Sequence, residues 1–243
     1  MAAKKKVEVA ATGTAVLDVA AEIKKELAEM SSRISAPSGD VIKVTQDKNF
    51  VLPNGTKSPG PLSVVIIDFA AGSFFHDRPY KKGEEAPPAC FALGLEPNKL
   101  VPDASSPDKQ ADTCLECPNN EWGSKGNGKA CDNLRFLAVV EPGDGDDVPK
   151  DIMVIKVSPT GIRAFDAYVD TIKTQFETTP IGVVTEIYFD PNLTYGSLRF
   201  GSPTPNKFRD EHFALKKKAR ARLLTPPDVS RYTPPAKPGK GRK

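Results

Sequence analysis

The sequence predicts an α+β fold, mostly antiparallel β, in which a small barrel or curved sheet carries one long insertion and flanking helices. Three observations carry that expectation. Between residues 40 and 200, short runs rich in Val, Ile and Phe alternate with Gly, Pro, Asn and Asp, the grammar of strands and turns. Within that span helical periodicity interrupts the series once; its other occurrences are at the two ends of the chain. All four cysteines fall between Cys90 and Cys131, around a stretch with little to bury.

Residues 1–39 read as an amphipathic helix and linker. Val16, Val19, Ile23, Leu27 and Met30 recur at steps of three and four over 13–33, with Glu and Lys on the other face, and "SAPSGD" breaks the pattern. Residues 40–205 form the β-rich core. Strands are expected at 42–45, 50–53, 62–69, 90–95, 134–140, 151–157, 181–189 and 197–200. Asn54-Gly55 supplies a turn, so that "PNGTKSPGP" links two of these strands as a hairpin. Ser158-Pro159 opens the internal helix, whose apolar stripe is Ile162, Phe165, Tyr168/Val169 and Ile172. Residues 206–243 begin with a helix to Leu224, stopped by Pro226-Pro227. They end in a Pro- and Lys-rich tail that buries nothing and is expected to be disordered. The OB-like barrel, a compact Greek-key arrangement of short strands, is one architecture that suits this pattern; a curved sheet is the other.

Charge is unevenly placed. The chain carries a net +3, but residues 207–243 hold twelve Lys/Arg against three Asp/Glu. A basic end on a mildly acidic body is the footprint of contact with a polyanion, or of a solubilising tail. There is no apolar run long enough to span a membrane, and "MAAKKKVEVAATG" lacks the apolar core of a signal peptide. The expected protein is soluble and cytoplasmic.

The stretch "CLECPNNEWGSKGNGKAC" admits two readings. Residues 123–130 come one residue short of a phosphate-binding loop, G-x-x-x-x-G-K-[ST]. Ala130 stands where a magnesium-binding hydroxyl is needed, and the stretch runs into a strand rather than a helix. The metal reading fits better. Cys90, Cys114, Cys117 and Cys131 give C-x23-C-x2-C-x13-C, with a C-x-x-C knuckle whose two thiolates grip one ion. A closed tetrathiolate zinc site, structural rather than catalytic, is the expectation; an iron–sulfur cluster uses the same ligands. Zinc would then staple the insertion, about 90–133, to the sheet.

Catalytic signatures are sparse. Only His76 and His212 are present, with no H-E-x-x-H, G-x-S-x-G or dinucleotide fingerprint. The acidic stretch "EPGDGDDVPKD" lacks calcium-loop order and reads as a solvated turn. The expectation is not an enzyme. Features that suit nucleic acid are clearer. "FFHDRPYKK" packs aromatic and basic groups into one loop, with Phe75, Arg78, Tyr80, Lys81 and Lys82 as contact candidates, or with Phe74 and Phe75 as core residues at a strand end and Lys81 and Lys82 as a solvated turn. Tyr188 and Arg199 are expected on one exposed strand face, as a contact or as a cross-strand pair. "KKKARAR" adds Lys216, Lys217, Lys218, Arg220 and Arg222, for phosphates or for a solvated helix face.

From about Pro53 to Ser230, roughly three quarters of the chain, the sequence resembles a group of tailed-bacteriophage proteins. The likeness lies in "PPACFALG", "SPDKQADTCLECPNNEWGSKGNGKACDNLRFLAVV", "VSPTGIRAFDAYV" and "LLTPPDVS". Phage single-stranded DNA-binding proteins are similar in size and role; several use an OB-fold, and one well-known type adds zinc. The resemblance implies single-stranded DNA as partner, in replication or recombination in the host cytoplasm, with self-association or other replication proteins as further partners. Two departures stand against simple transfer. The one-histidine, three-cysteine zinc set of that type is absent, and the chain ends basic where such proteins end acidic. The alternative expectation is a virion structural or assembly protein with the same structural zinc. A metal-dependent nuclease comes third.

Overall fold

The structure, a computed structural model, describes residues 40–79, 86–145 and 147–234. The helix expected over 13–33 lies outside these residues, as does the end of the tail.

One curled sheet, a half-barrel, organises the described chain, and it is mostly antiparallel. Its strands are β1 (Val41–Val44), β2 (Phe50–Val51), β3 (Lys57–Ser58), β4 (Leu62–Phe75), β5 (Cys90–Gly94), β6 (Cys131–Val140), β7 (Met153–Val157), β8 (Val183–Phe189) and β9 (Leu198–Pro205). The order is β3-β2-β1-β7-β6-β4-β8-β9, with β5 added to β4. All pairings in it are antiparallel except β1 with β7. Of the two architectures expected, the curved sheet is the one observed. The Asn54-Gly55 turn joins β2 to the two-residue β3, a strand that the sequence pattern does not announce.

β4 is the spine. One edge pairs with β6 along its length; the other is shared in succession by β8, at Leu62–Val64, and β5, at Ala71–Phe75. Its first half, Val64 to Ile67, is buried at every position rather than alternately, because helices cover both faces. A bulge between Ile66 and Asp68 then shifts the strand by one residue against β6.

Helix α1 (Pro159–Gln175) covers one face. It places Phe165 and Val169 against Ile42, Val64, Ile66, Leu137, Ile155 and Ile187, and Phe165 meets Phe69 edge-on at 5.1 Å. Tyr168 is buried nearby, where its hydroxyl finds Thr185 Oγ1 at 2.8 Å. Pro159 opens the helix as expected, although the Ser158 hydroxyl bonds that of Thr160 rather than capping.

The single terminal helix expected over 206–224 is two: α2 (Arg209–Ala214) and α3 (Lys216–Leu223), meeting at Leu215. α3 covers half of the opposite face, setting Ala219 and Leu223 against Val65, Ile67, Ala138 and Val140. Arg220 Nε reaches Asp68 at the bulge, 3.0 Å away, and Arg222 pairs with Asp40. In α2, His212 is fully buried. Its Nδ1 accepts from Asn206 Nδ2 at 3.1 Å, so the ring carries its proton on Nε2 and is neutral. Burial pushes its pKa below the usual 6.5, with the Pro149 carbonyl and Glu211 opposing. Among the described residues, no helix is long and apolar enough to cross a membrane.

Candidate functional site

The four cysteines meet at one end of the spine. Cys90 opens β5 and Cys131 opens β6, and both stand in register with Phe75 of β4. They flank that residue on the face of the sheet that α1 covers further along. The insertion supplies the other two. Cys114 is tied back by its N–H to the Leu100 carbonyl at 3.0 Å, and Cys117 begins a 3-10 turn over Pro118–Asn120. All four thiols are buried and reduced, and they line one enclosed cavity of about 10 Å³ with Ser73, Phe75 and Asn120. That is about the space of one water-sized sphere.

A polar relay fixes the arrangement. Ser73 Oγ donates to Asn133 Oδ1 (2.8 Å), Asn133 Nδ2 to Asn120 Oδ1 (2.8 Å), and Asn120 Nδ2 to the Cys114 carbonyl (2.6 Å). Burial, then the neighbouring thiols, raise Cys114 to about 11 and Cys131 to about 12. As four neutral thiols the group is compact but gains little from being assembled. A soft cation would reverse that, since it stabilises the Cys114 and Cys131 thiolates that burial and neighbouring thiols disfavour. Among the described residues, no group of three or more His, Cys, Asp or Glu is set at metal-holding geometry; the cysteines surround one cavity without being drawn to a point.

The expected nucleic-acid contacts divide sharply. Tyr80, Lys81 and Lys82 lie outside the described residues. Phe75 is half-buried and lines the cysteine cavity. Arg78 is exposed, but its guanidinium donates to the Thr233 carbonyl, while Tyr232 donates to Asp77 at 2.6 Å. Part of the tail expected to be disordered, around Arg231–Thr233, is thus folded onto this loop. Tyr188 and Arg199 are directly paired across β8 and β9, as expected. Arg199 is held by Asp190 at 2.5 Å, however, which favours the cross-strand structural reading for that side chain. In α3 the cations separate by role. Arg220 and Arg222 anchor the helix through Asp68 and Asp40, whereas Lys217 and Lys218 are exposed and Lys216 lies over the Phe213 ring.

A groove that the sequence pattern does not announce opens beside α3, on the part of its face that the helix leaves uncovered. It measures about 530 Å³ and is lined by Phe74, Leu93, Phe136, Val154, Lys156 and the turn after α3. Phe74 and Phe136 stand over Gly72, with ring centroids 5.7 Å apart, and Phe74 continues to Phe91 at 6.2 Å. A methyl group added at Gly72 would lie 2.6 Å from the Phe136 ring, so the glycine is the floor that lets both rings lie down. Lys156 stands exposed at the rim, paired across strands with Phe136. The signal is present in "FF": the two rings point to opposite faces, and the open face takes Phe74 rather than Phe75.

The acidic stretch forms a tight turn in which Asp144 and Asp147 pair, in keeping with its reading as a loop. Comparison with known protein families, with curated proteins and with solved structures finds no match.

Proposed function

We propose that this chain is a non-enzymatic, single-stranded DNA-binding protein of a bacteriophage, acting in replication or recombination, with one structural zinc held by Cys90, Cys114, Cys117 and Cys131. The observation that carries the DNA reading is the groove. Two adjacent aromatic rings on a glycine floor, with a lysine at the rim, suit bases stacked without sequence preference and phosphates held alongside. Lys216, Lys217 and Lys218 extend the positive charge from the neighbouring helix. The sheet face would serve as it does in OB-like binding proteins, although here the sheet is open. The zinc reading is supported by four buried thiols around one small cavity and by a relay that positions Cys114.

The test is binding of a fluorescent oligo-dT across a salt series, by the intact protein and by Phe136→Leu and Lys156→Ala variants. Substitution is preferred to truncation at Pro205, which would remove Ala219 and Leu223 from the core. Weaker binding by both variants supports the groove. Absence of binding by the intact protein defeats the DNA reading and puts the virion component first. For the metal, purified protein with less than about half an equivalent of zinc defeats the tetrathiolate site.

A further inference from the structure

Trp122 is the chain's one tryptophan, and it is 78% exposed. Exposure alone is ordinary for a surface side chain, but an indole presents a wide flat face on which a base can stack. It is also held firmly. Trp122 lies at the base of a glycine turn in which the Gly123 N–H donates to the Gly128 carbonyl at 2.9 Å and the Gly128 N–H to the Lys125 carbonyl at 3.1 Å. Gly123 and Gly126 take φ of 93° and 58°, where a side chain is strained. Ser124 Oγ closes the base, donating to the Glu121 carbonyl at 2.7 Å and accepting from the Ala130 N–H at 2.9 Å. The residues that mimic a phosphate loop therefore build a hairpin. Through Asn120, that hairpin joins the relay behind Cys114.

Lys125 and Lys129 are exposed on the same hairpin; Glu121 and Asp132 are the nearest acids in sequence. Lys129 Nζ is 3.3 Å from Asn120 Oδ1. Lys125 also reaches electrostatically toward His76. That imidazole is pushed below its usual range first by loss of water and then by Lys156 and Lys125, with Asp132 and Asp77 opposing. His76, which follows the end of β4, is thus within electrostatic reach of both the lysine at the rim of the groove and the lysine of the hairpin.

We propose that the Trp122 hairpin is a base-stacking finger for single-stranded nucleic acid, with the indole stacking on one base and Lys125 following the phosphates. The inference rests on the single-strand reading above and extends its track from the groove past His76 to the finger. The cysteine centre then has a use beyond holding the insertion: it fixes the finger relative to the sheet.

Because Trp122 is unique, its emission reports this position alone. Unlabelled oligo-dT titrated into the intact protein should quench it with the same midpoint that a labelled oligonucleotide gives. Trp122→Ala should weaken binding of the labelled oligonucleotide about five- to hundred-fold, and Trp122→Phe should restore much of it. An exposed side chain can be replaced without unfolding the chain, which circular dichroism checks. Binding with unchanged emission, or quenching with full affinity in Trp122→Ala, overturns the finger and leaves the groove reading intact. Failure of the intact protein to bind any oligonucleotide defeats both. An emission shift with protein concentration alone, without DNA, assigns Trp122 to contact between copies and overturns the finger.

Discussion

The sheet and the cysteine insertion are held together by different physics. The sheet buries apolar residues on both faces, with Phe165 and Ile172 from one side and Ala219 and Leu223 from the other. From Leu95 to Ala130 the chain buries only Leu100, Cys114 and Cys117. It leaves Leu95, Val101, Leu115 and Trp122 in water. The insertion has no core of its own, so its order depends on polar ties: the amide relay, and the bonds that join Asp103, Ser106 and Asp108 to Phe91 and Ala89. The body should survive changes that release the insertion, whereas the reverse should not hold.

Removing the proposed zinc is the strongest way to break that contrast. Chelation, or Cys114→Ser, should destabilise the insertion by about 4 kcal/mol, as removal of a ligand present about a thousandfold above its dissociation constant does, and should shift the melting temperature of the body little. Hydrogen exchange should localise the loosening to residues 95–130 while β6 and β7 stay protected. Equal deprotection of both regions would mean that the insertion and the body form one cooperative unit. Next in size, Phe136→Leu should cost about five- to fiftyfold in oligo-dT affinity while changing stability by under about 1.5 kcal/mol, measured by urea titration. A fall in stability without a fall in affinity would reassign that ring to packing.

The α3 cations sharpen the division between binding and holding. Replacing Lys216, Lys217 and Lys218 with Ala should make the salt dependence of binding shallower, by about 0.7 for each phosphate no longer neutralised. Arg220→Ala should instead leave that slope unchanged and cost about 1–3 kcal/mol of stability, because Asp68 is left half-buried without its partner. The smallest expected effect is that of pH on the body. His212 is held neutral with its pKa lowered, so its contribution is complete above the unfolded value of about 6.5. That stability is lost as pH falls below 6.5 toward the folded pKa. Melting temperatures at pH 7.5 and 5 should differ more for the natural protein than for His212→Gln.

Much of the frame is legible in the sequence. Alternating β-branched runs locate β1, β2, β5 to β8 and the first part of β9 to within a few residues, and Ser158-Pro159 marks the start of α1. The second half of β4 escapes notice because "AAGS" has little strand propensity. Its small residues matter only once the rings of Phe74 and Phe136 are seen to lie over Gly72. The parity of the Phe pair is hidden for a different reason. The bulge at Ile66/Asp68 shifts every later residue by one, and no local pattern records it. The C-x-x-C spacing keeps Cys114 and Cys117 together locally, whereas Cys90 and Cys131 come near them only through the pairing of β5 and β6 with β4. The ion pairs that withdraw Arg199, Arg220 and Arg222 are invisible, because each partner lies several residues or a whole domain away in sequence.

The one parallel pairing also governs the order in which the sheet is completed as the chain is synthesised. The second edge of β1 finds its partner only in β7, more than about a hundred residues later, and the start of β4 waits still longer for β8. Until then the β1–β3 meander has a bare edge, open to any other strand nearby. β4, β5 and β6 can pair first, since they follow one another in the chain, with Cys90 and Cys131 both in register with Phe75. The thiol cluster would then act earliest as a clasp on a half-made sheet. A nascent chain held before Met153 should already protect β4–β6 from proteolysis while β1 remains open to cleavage.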